Sequence, residues 1–202
     1  IMGFDLSGLK PQENTKKPEI LIKHPIGWQI EDEAIQKEWY NAYEKWKNEN
    51  PGVYFRSNVW FWRPLWMYVC CSCEDILTDK DMHSGSFNDA HIISKTKSKR
   101  IAARLRRLIK ELDVKLFAAH HEEERKKAVE HNKKIQDLIE DLNERVKEQY
   151  GDIVPKDYPE PHKTDWDNLQ DQKKWEGNYP FDEELVKEFE RFCEQSGGFS
   201  IH

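Results

Sequence analysis

The sequence predicts an α+β fold that is mainly α: a small antiparallel sheet formed by terminal and central strands, packed by three core helices, with a long helical insertion. Three observations lead there. Apolar residues recur at helical spacing in several stretches, while short alternating or β-branched segments stand at both ends and around residues 53–62. Only 37% of the 202 residues are apolar against 35% charged, yet 12% are aromatic, including eight Trp. Such a chain folds around an aromatic core and leaves much of its helix surface in water, and it is too aromatic to be disordered.

Residues 3–9 alternate and read as a short strand near 3–8. Pro11, Pro18 and Pro25 mark 10–27 as irregular, with a short extended piece at Ile20-Leu21-Ile22. Ile35, Trp39, Tyr43 and Trp46 share one stripe of a helix over 31–50, which Asn50-Pro51-Gly52 ends. The β-branched and aromatic run 53–62 reads as a strand. Pro64 suits the first turn of a helix, and Leu65, Val69, Cys73 and Ile76 continue at helical spacing, so a buried helix is expected over 64–77. Residues 78–90 read as a loop. Ser94 is placed as the N-cap of a helix over 95–112, with Ile101, Leu105, Leu108, Ile109 and Leu112 inward.

A long helix over 114–150 carries Ala128, Ile135 and Leu142 seven apart, until Gly151 and Pro155 stop it. The stretch 151–179 holds Pro155, Pro159 and Pro161, with Trp166 and Trp175 expected to anchor it to the core. A last helix over 181–195 turns Leu185, Val186, Phe189, Phe192 and Cys193 inward, and Ser196-Gly197-Gly198 ends it. Phe199-Ser200-Ile201 is expected to pair beside the first strand. The whole reads as one domain, 1–202, with a helical insertion at 28–50 and a helical, Pro-rich one at 113–175.

The longest apolar run falls far short of the roughly 20 residues of a membrane helix, and no basic region followed by an apolar stretch opens the sequence, so neither membrane association nor a signal peptide is expected. Ile1 before Met2 reads as a processing scar. Four Cys in this length make no disulfide scaffold, which suits a reducing cytoplasm. A net charge of −6 opposes a nucleic-acid-coating role.

Three segments could carry chemistry. Residues 54–66 combine three Trp, two Phe and a Tyr with Arg56 and Arg63. On a strand Trp60 and Trp62 would share one face. Flat rings beside a guanidinium suit a planar anionic ligand, since rings stack and Arg gives paired hydrogen bonds to phosphate. The plainer reading is an aromatic core. From Lys95 to Lys110 run eight Lys or Arg and no acid, with Lys97 and Arg100 on the side nearest the apolar stripe and Ser94 at the helix start, a favourable place for phosphate. The plainer reading is a solvated face neutralised by acidic helices. Asn88-Asp89-Ala90-His91 leads into this helix, and Asp89 stands near enough in sequence to orient His91 as a base or ligand group. No nucleophile signature, dinucleotide fingerprint or phosphate-binding Gly-rich loop accompanies them. Cys70 and Cys73 are three apart, but a closed zinc site needs four ligands and no second Cys pair exists. No catalytic residue, metal or cofactor is assigned.

Together Met2-Gly3-Phe4-Asp5-Leu6-Ser7-Gly8, the block Tyr54 to Trp66, Tyr68-Val69-Cys70, Asn88 to Ser94, Asn178-Tyr179-Pro180-Phe181, Phe192-Cys193 and Ser196 to Phe199 resemble a family of small uncharacterised proteins found in bacteriophage and environmental sequence. The resemblance covers roughly half the chain, and regions 10–50 and about 113–175 fall outside it. Ala90 stands where the family has Gly, and Phe61 where it has Trp; the first is expected to alter the loop backbone. The family brings no catalytic residues. By analogy with phage proteins that sequester nucleotide signals of host immunity, it implies a binding role.

The leading expectation is therefore a non-enzymatic binding protein for a small anionic, nucleotide-like ligand. Trp60, Trp62 or Trp66 would stack on it, and Arg56, Arg63, Lys97, Arg100 and the Ser94 helix start would hold phosphates. Asn58, Asn88, Asp89 and His91 would orient it. The alternative is an inhibitor of a host enzyme acting through the long helix, whose heptad stripe could pair with a partner helix or a second copy. An enzyme built on His91 and a nucleic-acid binder rank below both.

Overall fold

The computed structural model describes residues 3–202; the Ile1-Met2 opening lies outside the described residues. The chain divides into two compact units, one formed by 1–116 and 182–202, the other by 117–181.

The first unit is built on a four-stranded sheet. It opens with β1 (Gly3–Gly8), whose alternating burial puts Phe4 and Leu6 on the inner face. Next comes α1 (Glu19–Lys23), where an extended piece is predicted. The Pro18 carbonyl takes the N–H groups of Leu21 and Ile22 at 3.0 and 3.3 Å, starting a helical turn that buries Leu21. Helix α2 (Glu33–Glu49) is capped by the Asp32 carboxylate, which accepts from Ala34 and Ile35. Its stripe closes on Leu21 through Trp39 and Trp46, with Tyr43 stacked on Trp39.

The predicted strand over 53–62 is shorter. It ends as β2 (Tyr54–Asn58), because the Asn58 side chain accepts from the N–H groups of Trp60 and Phe61 and starts α3 (Val59–Ser72) there. Trp60 and Trp62 therefore lie on a helix, not on one face of a strand, and Pro64 sits inside α3 instead of at its first position. Trp62 and Trp66, one helical turn apart, stack with centroids 5.3 Å apart. The predicted loop 78–90 contains α4 (Asp79–Ser84), started by a capping box between Thr78 and Asp81. A further strand, β3 (His91–Ile93), has no counterpart in the sequence reading.

Helix α5 (Lys95–Lys110) begins at Ser94 as predicted, and buries Ile101, Ala102 and Leu105. It is followed by α6 (Asp113–Tyr150), α7 (His162–Asp171) and α8 (Glu183–Gln195), the last capped by Asp182. The chain returns through Gly197 and Gly198, at φ 66° and 93°, a left-handed turn that side chains beyond glycine disfavour, into β4 (Phe199–Ile201).

All strand pairs are antiparallel, in the order β2-β1-β4-β3. Leu6 stands opposite Phe55 on one side and Ile201 on the other, so the terminal strands pair as predicted. On the inner face Phe55, Trp62, Phe189, Phe192 and Phe199 make a ring network of edge-on, tilted and stacked pairs with centroid distances between 5.2 and 6.4 Å. The fold is thus α+β and mainly α, with one small antiparallel sheet and a long helix.

In the second unit, the α6 residues Leu142 and Val146 pack with Tyr158, and Ile153, Trp166 and Leu169 close over them. The heptad positions Ala128, Ile135 and Leu142 are all buried. No helix among the described residues is long and apolar enough to cross a membrane.

Candidate functional site

Of the residues singled out from the sequence as ligand-binding, Trp62, Arg63 and Trp66 line one cleft, and the others are not among its lining. Trp62 and Trp66 are sealed in the core, at 0% and 2% exposure. Their indole N–H groups donate to the carbonyls of Gly85 at 2.9 Å and Met82 at 3.0 Å, so the polar edge of each ring is occupied. With Arg63 they line a cleft of about 500 Å³, shared with Met67, Met82 and Phe87. Trp60 is 42% exposed at the start of α3, and Asn58 serves as that helix's cap. Arg56 lies 3.5 Å from the Asp5 carboxylate, which also accepts a hydrogen bond from the Tyr54 hydroxyl. Burial and that carboxylate both push the Tyr54 phenol above its ordinary range.

The 88–97 segment is organised by a residue the sequence reading passed over, Asp81. His91 Nε2 lies 2.9 Å from Asp81 Oδ1, and the Lys97 ammonium donates to Oδ2. Thr78 adds its backbone N–H at 2.8 Å and its hydroxyl at 2.7 Å. Burial alone would push the Asp81 carboxyl up; Lys97, the Thr78 amide and His91 overcome it and hold the pKa well below the usual carboxylate range. Asp89, expected to orient the His91 ring, instead accepts the His91 backbone N–H at 3.2 Å. The Asn88 amide donates to the Gly3 carbonyl at 2.9 Å, and Ser94 caps α5.

The basic run is largely neutralised locally. Arg100 and Arg104 reach Asp75, and Arg106 reaches Glu190 at 2.6 Å and Glu194 at 3.0 Å. Burial pushes the Cys70 thiol up to about 12, which keeps it protonated and a poor nucleophile or metal ligand at neutral pH. Among the described residues no three His, Cys, Asp or Glu side chains group as metal ligands.

The second unit carries a groove lined by aromatic, cationic and amide side chains. Val129, Asn132, Lys133 and Gln136 follow one another at helical spacing along α6 and form one wall of a groove. The segment 173–178 forms the other. Asn132 pins it: its amide accepts from the Lys174 N–H and donates to the Lys174 carbonyl, both at 2.7 Å. Gly177 seats so closely that an added Cβ would stand 3.3 Å from both Val129 and Asn132. The groove encloses about 820 Å³. Two indoles flank it. Trp166, at the hydrophobic cluster, carries a buried Nε1 with no hydrogen-bond partner. Trp175, expected as a core anchor, is instead 71% exposed. Lys133, Lys173 and Lys174 line the groove against a single carboxylate, Asp171, and Lys173 donates to Gln136 at 2.8 Å. The amides of Gln170 and Asn178 complete the polar lining.

An exposed indole, three ammonium groups and several amides can together stack a flat group, neutralise an anion and hydrogen-bond ring edges. In the sequence the signal was the run Lys173-Lys174-Trp175, two cations beside an aromatic in a Pro-rich segment with few apolar residues to bury it. Comparison of the chain with known protein families, with curated proteins and with solved structures returns no match.

Proposed function

We propose that the protein is a non-enzymatic binding module for a small anionic ligand with a flat, nucleotide-like group, held in the groove between α6 and residues 173–178. One observation carries this reading: Trp175 is 71% exposed beside Lys133, Lys173 and Lys174 in a groove large enough for such a ligand. Leaving an indole in water forgoes the stabilisation its burial would bring, and stacking on a ligand base recovers it. Trp175 stacks, the lysines take the phosphates, and Gln170 and Asn178 contact the ring edges. Sequestration of a host signal, as the resemblance to phage proteins implies, calls for capture without turnover, which this set of stacking, cationic and amide groups supplies.

The reading as a partner-helix inhibitor used the heptad stripe of the long helix, and Ala128, Ile135 and Leu142 are buried. The test is a panel of mono-, di- and cyclic nucleotides followed by tryptophan fluorescence and melting temperature, on the natural protein and on Trp175→Ala. A ligand-dependent change that Trp175→Ala abolishes supports the reading; no change across the panel overturns it.

A further inference from the structure

The first unit carries a second groove, of about 420 Å³, along the outer edge of β2 and lined by α2 and α8. In an antiparallel pair, residues alternate between bonding to the partner and pointing away from it. The Gly8 N–H donates to the Val53 carbonyl at 3.0 Å, so Phe55 and Ser57, at the same phase, bond to β1. Asp5, opposite Arg56, instead exchanges both backbone hydrogen bonds with His202 at 2.8 Å each. The N–H and C=O groups of Tyr54 and Arg56 therefore face outward, on a strand whose one neighbour among the described residues is β1.

Uncovered edges of this kind are pairing templates, and folds commonly blunt them with proline, bulges or a covering element. The stretch Tyr54–Asn58 has no proline. The groove beside it is open and lined by Lys47, Arg56, Arg191 and Glu188; Lys47 also meets Glu44 at 2.9 Å and Arg56 meets Asp5 at 3.5 Å, both pairs exposed, while Arg191 stands outside any ion pair among the described residues. Phe55 and Phe192 supply an apolar floor.

We propose that this groove binds an extended acidic segment of a partner protein, which adds to β2 as a further strand. Its backbone pairs with Tyr54 and Arg56, alternate carboxylates meet Lys47, Arg56 and Arg191, and an apolar side chain between them rests on Phe55 and Phe192. Main-chain bonds give affinity and the charged pockets give selectivity, as in other strand-addition complexes. Arg191, with no carboxylate of its own, and the exchangeable exposed pairs of Lys47 and Arg56 select an acidic segment over a neutral or basic one. This site is independent of the groove in the second unit.

The test uses the full chain and a fluorescein-labelled peptide alternating Glu and Val, followed by anisotropy. Two N-methylated versions carry the methyl groups on alternate amides, so that each blocks one edge of the peptide strand. The expected results are saturable binding, a loss of about tenfold or more in affinity for Arg191→Glu, and a similar loss for one N-methylated version but not the other. Arg191 is exposed, so its substitution leaves the fold intact, which circular dichroism checks. Equal binding of both N-methylated versions means attraction by charge alone and overturns the proposal. So does failure of the acidic peptide to bind, or self-association through β2 that excludes it.

Discussion

His91 Nε2 lies 2.9 Å from Asp81 Oδ1, across a ten-residue separation in sequence, and the same carboxylate receives the Lys97 ammonium. Asp81 is also the third residue of α4 and half of its capping box. One carboxylate thus fixes a helix start, orients an imidazole and neutralises the first turn of α5. With only 4% of its surface exposed, it is costly to replace.

Asp81→Ala should destabilise the protein by about 3 kcal/mol in chemical denaturation, since it leaves Lys97, His91 and the Thr78 amide without their common acceptor. The Asp81 pKa is lowered on folding, so its contribution is complete above the unfolded-state value of about 3.9 and is lost as pH falls through the folded one. Acid unfolding of the natural protein should therefore show a component below about pH 4 that Asp81→Asn lacks.

His121 predicts a second pH dependence, at a higher range. Its Nδ1 is buried with no hydrogen-bond partner, and its ring lies 5.8 Å from Phe117 and 5.9 Å from Phe181. Burial lowers its pKa against the opposing pull of Glu122, with Arg125 and His120 adding to the drop. Folding favours the neutral ring, so stability is complete above about pH 6.5 and declines as pH falls below it. His121→Leu should remove that decline below about pH 6.5, read as the shift in melting temperature.

Ala90 adopts φ 60°, the left-handed region in which a Cβ is penalised. Ala90→Gly should stabilise the fold by about 1 kcal/mol, measured by denaturant unfolding.

Trp62 and Trp60 separate core from surface within the same helix turn. Trp62→Ala, at 0% exposure and in ring contact with Phe4, Phe55, Trp66 and Phe189, should cost about 4 kcal/mol. Trp60→Ala, 42% exposed, should cost about 1 kcal/mol. Thermal melts distinguish the two directly.

These residues also show which parts of the fold can be read from sequence. Periodicity found α2, α5, α6 and α8 because each buries a stripe, and alternation found β1 and β4 because Phe4, Leu6, Phe199 and Ile201 are inward. Local capping chemistry decided what periodicity could not. Asn58 turned a strand-like aromatic run into a helix, and the Thr78–Asp81 pair built α4 inside an apparent loop. β3 is three residues long with Ile92 exposed, too short to leave a pattern. At the site level, Asp89 is the carboxylate that sequence proximity offers to His91, and Lys97 reads as a phosphate ligand; the carboxylate that both meet is Asp81, brought near by folding rather than by sequence. The dense tryptophan block drew attention because it is unusual, and that density is what an aromatic core requires. Trp175, alone in a lean segment, had no partners to bury it.

The most direct measurement is a fluorescence titration with a cyclic dinucleotide and its mononucleotide halves, comparing the natural protein with Trp175→Ala and with the double variant Lys133→Ala, Lys174→Ala. Saturable quenching that disappears in Trp175→Ala, and weakens by at least about tenfold in the lysine variant, is the predicted result. Unchanged emission at millimolar ligand, or quenching that persists undiminished in both variants, would contradict a binding role for this groove.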